Sequence, residues 1–283
     1  MPSVETADPD HRTSALWRPL RALAAACILV AAANLLRLAF ALAMGLVTGE
    51  TTTTPYVVLR DLALLSAIPR LVAWVIVRLA RARVRAESDT LVVERRGERV
   101  DVPRASIAAV RPLRLPLPAP GLALRLASGR LFNLLLALPD PTPLASALDA
   151  AAAHPMLRFA AARARYHRSG PGRLALKFLV FPLLPALVLF RLYQLLTFGG
   201  LTGQWQMFGL APYLRTASGY YLGTVAHLVV WAGVWRILGE CLAYAAAWAL
   251  PSRTRGPRAA VEWTCRIVYW VGVPALLGAR FLV

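Results

Sequence analysis

Leu91-Val92-Val93-Glu94-Arg95-Arg96-Gly97-Glu98-Arg99-Val100-Asp101-Val102 is the stretch that decides how the chain divides. It reads as two short strands, 91–95 and 99–102, joined at Arg96-Gly97, where glycine tolerates the positive φ of a two-residue hairpin. Pro103 ends the second strand because it has no N–H to give a ladder. A third strand is expected over 106–115, carrying Ile107, Val110, Leu113 and Leu115. Pro112 and the run Pro116-Leu117-Pro118-Ala119-Pro120-Gly121 make it an edge or a bent element. Leu122, Leu124 and Leu126 alternate with Ala123, Arg125 and Ala127, a period of two with one dry face. Ser128-Gly129 turns the chain into a strand over 131–138. A helix then starts near 140–143, with Asp140 or Thr142 as N-cap and a proline after each at the tolerated first position. Leu144 and Leu148 share one face of that helix.

Residues 82–154 are the only long part of the 283-residue chain that reads as a water-soluble fold, and they hold seven of the fourteen acidic residues. The chain is 58% hydrophobic with a mean hydropathy of +0.55, above the roughly half-apolar composition of soluble domains. The excess lies in long runs, so the expected class is an α-helical polytopic membrane protein with a small inserted β-rich domain. The formal charge of +18 does not indicate nucleic acid, because the arginines gather at the ends of apolar runs, as membrane anchors do. Lys177 is the one lysine among 32 basic residues. Cys27, Cys241 and Cys265 sit in apolar runs without metal-ligand spacing and read as free thiols. The four histidines form no metal-binding pair, and no metal or cofactor is expected.

Five spans follow. Residues 1–16 are a flexible, polar N-terminus, and 17–85 hold the first two spans. The run 20–47 is too long for a signal peptide and is interrupted by Asn34 and Arg37. The run 56–81 carries Arg60-Asp61 near one end and Pro69-Arg70 in the middle. It reads as a kinked spanning helix, with two short interfacial helices as the alternative. Residues 86–154 form the inserted domain and 155–173 a basic juxtamembrane linker. The remaining spans lie in 174–283, over 174–198, 222–250 and 259–283, the first broken by Pro182 and Pro185. Between them, 199–221 is rich in glycine and aromatic rings and suits a headgroup belt or a re-entrant piece. No internal repeat supports an inverted-repeat transporter.

Arg78, Arg81, Arg83 and Arg85 before the insert, and Arg163, Arg165, Arg168 and Arg173 after it, form a headgroup-facing basic collar. With Arg12, Arg18 and Arg21, and with Arg253, Arg255 and Arg258, they orient the chain by the positive-inside rule. The expectation is a bacterial inner (cytoplasmic) membrane protein with its N-terminus and insert in the cytoplasm and its C-terminus in the periplasm.

A strand meander closed by one helix, carried by 91–102, Val102-Pro103 leading into Ser106-Ile107, and 121–129, resembles the bacterial pleckstrin-homology-like (PH-like) domain. This copy is short for the full family fold by one or two strands. The resemblance implies binding of proteins or lipid headgroups rather than catalysis. The stretch from Phe190-Arg191 through Tyr213-Leu214 also resembles a family of bacterial membrane proteins, and that resemblance implies no activity.

Charges at membrane depth are the candidate site. A charged side chain near mid-bilayer costs about 2.5–3.5 kcal/mol on insertion scales, so it needs a partner, water or a role. Arg37, Arg70 and Arg236 fall near the middle of their runs. Glu240 lies one helical turn from Arg236, and Glu262 repeats that spacing with Arg266. Depth arithmetic on two antiparallel helices predicts that Glu240 bridges Arg266, Arg236 or both. His227, two turns from Arg236, completes the set. An interhelical clamp and an anion-binding polar site are both open at this point. No nucleophile elbow, phosphate loop or His-Glu-x-x-His is present. The expected function is a non-catalytic scaffold or regulator whose cytoplasmic domain binds a protein partner or anionic lipid headgroups. The alternatives are a small transporter or lipid-handling protein with an arginine-rich intramembrane site, and an intramembrane enzyme.

Overall fold

Arg81–Ala86 alternates arginine with alanine or valine, and that period of two makes it a strand rather than the end of a helix. In a computed structural model of the chain, the residues described are 12–48, 54–87, 89–95, 98–148, 154–166, 171–250, 255–272, 274, 275 and 278. They contain seven strands: β1 (Arg12–Trp17), β2 (Arg81–Ala86), β3 (Thr90–Arg95), β4 (Glu98–Pro103), β5 (Ile107–Pro112), β6 (Gly121–Leu126) and β7 (Leu134–Ala137). These form one antiparallel sheet in the order β4-β3-β2-β1-β7-β6-β5. The expected hairpin is present as β3 and β4, in register from Thr90↔Pro103 to Arg95↔Glu98. Its Arg96-Gly97 turn lies outside the described residues.

Two strands are new relative to the sequence reading. The N-terminus was expected to be flexible through residue 16, but residues 12–17 form β1, at the centre of the sheet. β1 pairs with β2 through Ser14↔Arg81 and with β7 through Ala15↔Leu136. The physical reason is that β1 closes the gap between β2 and β7, and both of its faces are then covered. Ala15 joins a core with Leu91, Val93, Val102, Leu122, Leu124, Leu136 and Leu138. Leu16 faces the other way and packs with Ala80, Ala137, Ile76 and Val77. Gly121 permits the tight β6–β7 approach, since a Cβ there would lie 2.1 Å from the Leu136 carbonyl oxygen.

Two helices follow β7. Helix α4 is Thr142–Ala147, and the Asp140 Oδ1 accepts from the Thr142 N–H at 3.0 Å. The expected linker 155–173 is helical over α5 (Pro155–Tyr166), and Met156, Leu157, Phe159, Ala160 and Ala162 are buried on it. Leu157 belongs to the sheet core, so α5 is part of the domain, not a tether.

Among the described residues, four helices are long and apolar enough to cross a membrane: Arg18–Gly45, Pro55–Leu79, Gly172–Phe198 and Leu210–Ala249. No more than 28% of any apolar window is buried, so the leucines and valines along them are largely bare, as lipid-facing side chains are. The first lies in helix α1 (Arg18–Thr48). The second is α2 (Pro55–Leu62), a π-helical turn Ala63–Ala67 and α3 (Ile68–Leu79). Pro69 has no N–H to donate, and the irregular turn directly precedes it. The third is α6 (Pro171–Ala175), a π-helical turn Leu176–Val180 and α7 (Leu183–Phe198), with Pro182 at the break. The 199–221 stretch holds a short helix, α8 (Gly203–Phe208), and the first turns of the 40-residue α9 (Leu210–Ala249). Part of the expected fifth run lies outside the described residues, which here include α10 (Arg255–Ile267) and a π-helical turn Val268–Gly272.

The chain divides into two compact units. One takes in Met1–Val30, Ile68–His167 and Cys241–Ala260, and the other Ala31–Ala67, Arg168–Glu240 and Val261–Val283. The first is built on the sheet. In it, Arg21 donates to the carbonyl oxygens of Leu115 and Leu117, and the Tyr244 hydroxyl donates to that of Arg114 at 3.1 Å. The proline-rich β5–β6 loop is thus held by α1 and by the C-terminal end of α9. The second unit packs helix on helix, with Leu38, Leu42, Val58, Leu62, Ala226, Val230 and Val234 buried together.

Candidate functional site

The helical unit brings two sets of charged side chains together. In the first, Asn34 sits one turn before Arg37 on α1, and the pair faces Asp61 at the end of α2. Arg37 bonds Asp61 through Nη2, and its Nη2 and Nε donate to Asn34 Oδ1 at 3.0 and 3.3 Å. Arg60 reaches the other Asp61 oxygen, Oδ1, from Nη2 and Nε at 3.0 and 3.1 Å. Asn34 Nδ2 donates to the Asp61 carbonyl at 3.0 Å and to Ser66 Oγ at 2.8 Å, at the mouth of the π-helical turn. A buried amide side chain therefore meets a backbone carbonyl beside the irregular turn. The acid is inside, with its side chain 11% exposed, while Arg37 and Arg60 are 54% and 52% exposed.

The second set lies on α9 and α10. Arg236 donates to Glu240 at 2.9 Å, one turn along the same helix, and to Glu262 at 2.7 Å on α10. Gly239 lets these helices close, since a Cβ there would lie 2.6 Å from a Val261 methyl. Lys177 lies nearby in the same unit, its ammonium 3.9 Å from the Tyr269 ring centroid. The Tyr269 hydroxyl donates to the Lys177 carbonyl.

Of the residues singled out from sequence, Arg236 and Glu240 meet as expected. Arg266 is exposed and lies over the Trp263 ring at 5.5 Å, while Glu240 pairs with Arg236 along its own helix. Glu262 takes the place foreseen for Glu240 as the carboxylate across the helix pair. Arg37 is drawn to Asp61, and Arg70 is exposed on α3. His227 directs Nδ1 to the Gly223 carbonyl at 2.7 Å, a bond within its own helix that needs a proton on that nitrogen. Sequence reasoning missed Asp61, Asn34 and Ser66 as partners. Their signal was an Asp and an Asn inside apolar runs that also carry arginine.

The collar residues divide. Arg78 is exposed and stacks over Trp74 at 4.9 Å. Arg81, Arg83 and Arg85 are exposed along one face of β2, and Arg165 and Arg173 are exposed on their helices. Arg163 is half-buried, and Arg168 lies outside the described residues. Across the sheet, Arg83 stands opposite Glu94, which stands opposite Arg99. Arg99 bonds Asp101 at 2.8 Å, and this bond, then the Asp101 charge, holds its pKa above the ordinary guanidinium value. Arg258, read from sequence as a loop anchor, is instead buried on α10. Among the described residues no three His, Cys, Asp or Glu side chains gather as metal ligands.

Comparison with known protein families, with characterised proteins and with solved structures finds no match to this chain. The class therefore rests on the chain's own features. Its described residues form four membrane-length apolar helices and an antiparallel β domain, as a membrane protein with a folded extramembrane module would have.

Proposed function

We propose that this is a multi-pass protein of the bacterial inner membrane, a non-catalytic scaffold or regulator whose PH-like sheet domain binds anionic headgroups or an acidic protein partner at the cytoplasmic face. The observation that carries this reading is the row Arg81, Arg83 and Arg85, exposed on one face of β2. Guanidinium groups spaced at two residues present parallel forks to phosphate or carboxylate. Each basic side chain near an anionic surface adds about 1 kcal/mol of attraction. The PH-like reading is supported by β1 and β2, which supply the strands the expected meander lacked. A non-catalytic role is supported by Arg236, whose charge is met by two carboxylates as in an interhelical clamp.

The test uses the full-length protein reconstituted in bilayers, with a photoreactive amino acid replacing Ala86 beside the arginine row. Phosphatidylglycerol should be captured, and R81Q/R83Q/R85Q should lower capture at least about tenfold. A protein partner would instead appear as a cross-linked second chain, lost in the same variant. Arg236→Ala should destabilise the fold by about 2–3 kcal/mol, read as lower folded yield, and leave either capture intact. Capture of neither lipid nor protein ends this reading.

A further inference from the structure

Arg37 and Arg60 share a single carboxylate, Asp61, which leaves one positive charge in excess in this three-residue cluster. Their bonds are asymmetric. Arg37 spends Nε and Nη2, and Arg60 spends Nε and Nη2, on Asn34 and Asp61. The Nη1 group of each guanidinium bonds none of the described residues, and both side chains are half-exposed while the acid is enclosed. The carboxylate therefore fixes two half-exposed forks, each with its Nη1 left over.

Depth identifies what meets them. At 1.5 Å per residue, Arg37 lies roughly 8 Å from the centre of Arg18–Gly45 and Arg60 roughly 10 Å from the centre of Pro55–Leu79. Both displacements point toward the ends joined by 49–53, so the two residues address one leaflet. With a hydrocarbon half-thickness of about 15 Å, the Cα atoms lie about 5–7 Å below the headgroup boundary, within reach of an extended arginine. An ion of one negative charge would neutralise the cluster, and a phosphodiester accepts two N–H groups from a guanidinium edge.

We propose that Arg37 and Arg60, oriented by Asp61 and Asn34, bind the phosphate of an anionic glycerophospholipid in the leaflet next to the 49–53 connection. A lipid with no headgroup cation, such as phosphatidylglycerol, balances the excess charge, and a zwitterionic lipid does not. The site rests on reading the helices as spans and is independent of the arginine row on the sheet.

Native mass spectrometry of the full-length, detergent-washed protein titrated with phosphatidylglycerol or phosphatidylcholine tests it. Wild type should retain phosphatidylglycerol in preference to phosphatidylcholine, and Arg60→Gln should lower that retention about tenfold, the loss of a charge-assisted contact. Arg37→Gln should act alike. Should it fail to fold, Arg60→Gln decides alone, because Asp61 keeps Arg37 as its partner. In melting experiments without lipid, Arg60→Gln should unfold with wild type, and only wild type should be shifted upward by phosphatidylglycerol. R81Q/R83Q/R85Q should keep the Arg60-dependent lipid, which separates this site from the sheet. Equal retention of the two lipids, retention unaltered in Arg60→Gln, or no retained phosphatidylglycerol overturns the proposal.

Discussion

His154 shows how one residue ties a pH dependence to packing. It precedes α5, its Nδ1 accepts from the Met156 N–H at 3.2 Å, and its ring meets Trp248 edge-on at 5.9 Å. Burial first, and then the charge of Arg114, lowers its pKa from the usual 6.5. The folded state thus takes up the proton less readily than the unfolded chain does. The contribution of His154 to stability is therefore full above pH 6.5 and declines as pH falls through that value toward the lowered folded one, where it levels. Protonation of Nδ1 would also cost the Met156 bond. Melting temperatures of detergent-solubilised protein, taken from neutral pH downward, should fall more in wild type than in His154→Gln across that window. Equal declines would remove His154 from the account. The same scale explains what the sequence could not say about Asp61. Its adjacency to Arg60 was visible, but its bond to Arg37, 24 positions away, depends on how two helices turn toward each other.

Among elements, legibility followed pattern. β3, β4 and β6 were expected within a residue or two of where they lie, because hydrophobic alternation and the Gly97 and Pro103 signals agree. β2 also alternates, but its three arginines equally suit a membrane collar, so charge masks its period. β1 carries Thr13-Ser14-Ala15-Leu16-Trp17, which is too short and mixed to announce a strand. It is fixed by pairing on both sides, a tertiary cause outside any local window. α5 was obscured for a similar reason, since its arginines hid a buried stripe of Met156, Phe159 and Ala160. The β6–β7 contact makes a sharper demand at this scale. Gly121→Ala would press a methyl against the Leu136 carbonyl and to within 2.9 Å of the Ala137 Cα, both backbone atoms of the paired strand. Neither can rotate away as a side chain would. A loss of about 1–3 kcal/mol is expected from such overpacking, measured as a lower melting temperature and greater proteolysis of the sheet. Gly219→Ala on α9 is the control for general glycine loss outside the strands, because its backbone is not left-handed and a Cβ there meets nothing. If Gly121→Ala melts no lower than that control, β6 and β7 do not pack as described.

For the whole molecule, the sheet imposes a parity rule on the membrane helices. β1 and β2 are hydrogen-bonded neighbours, with Ser14 opposite Arg81, and one sheet cannot straddle a bilayer. The number of crossings between residues 17 and 81 must then be even. If α1 spans, the run Pro55–Leu79 must span as well, which favours one kinked helix over two interfacial ones for that stretch. The same logic applies after the sheet. The Tyr244 hydroxyl bonds the Arg114 carbonyl, and Phe159 meets the Tyr244 ring at 5.9 Å. The end of α9 therefore lies on the side of the sheet, and if Gly172–Phe198 crosses outward, Leu210–Ala249 must cross back. Which side that is follows from the arginine collars and belongs to the proposal of a cytoplasmic sheet. Single cysteines in a background where Cys27, Cys241 and Cys265 are replaced by serine can test both statements. An impermeant thiol reagent added outside intact cells should modify a cysteine at Thr52 or Leu201 and should not modify one at Ser14, Glu94 or Arg130. After the cells are opened, Glu94 and Arg130, both on the sheet domain, should react. Oxidation of membranes holding Ser14→Cys with Arg81→Cys should link the two positions, as facing residues of paired strands permit. Labelling of position 94 from outside would reverse the orientation and leave the parity rule standing. Labelling of 14 and 94 from opposite faces would break the pairing itself, and with it the even count of crossings.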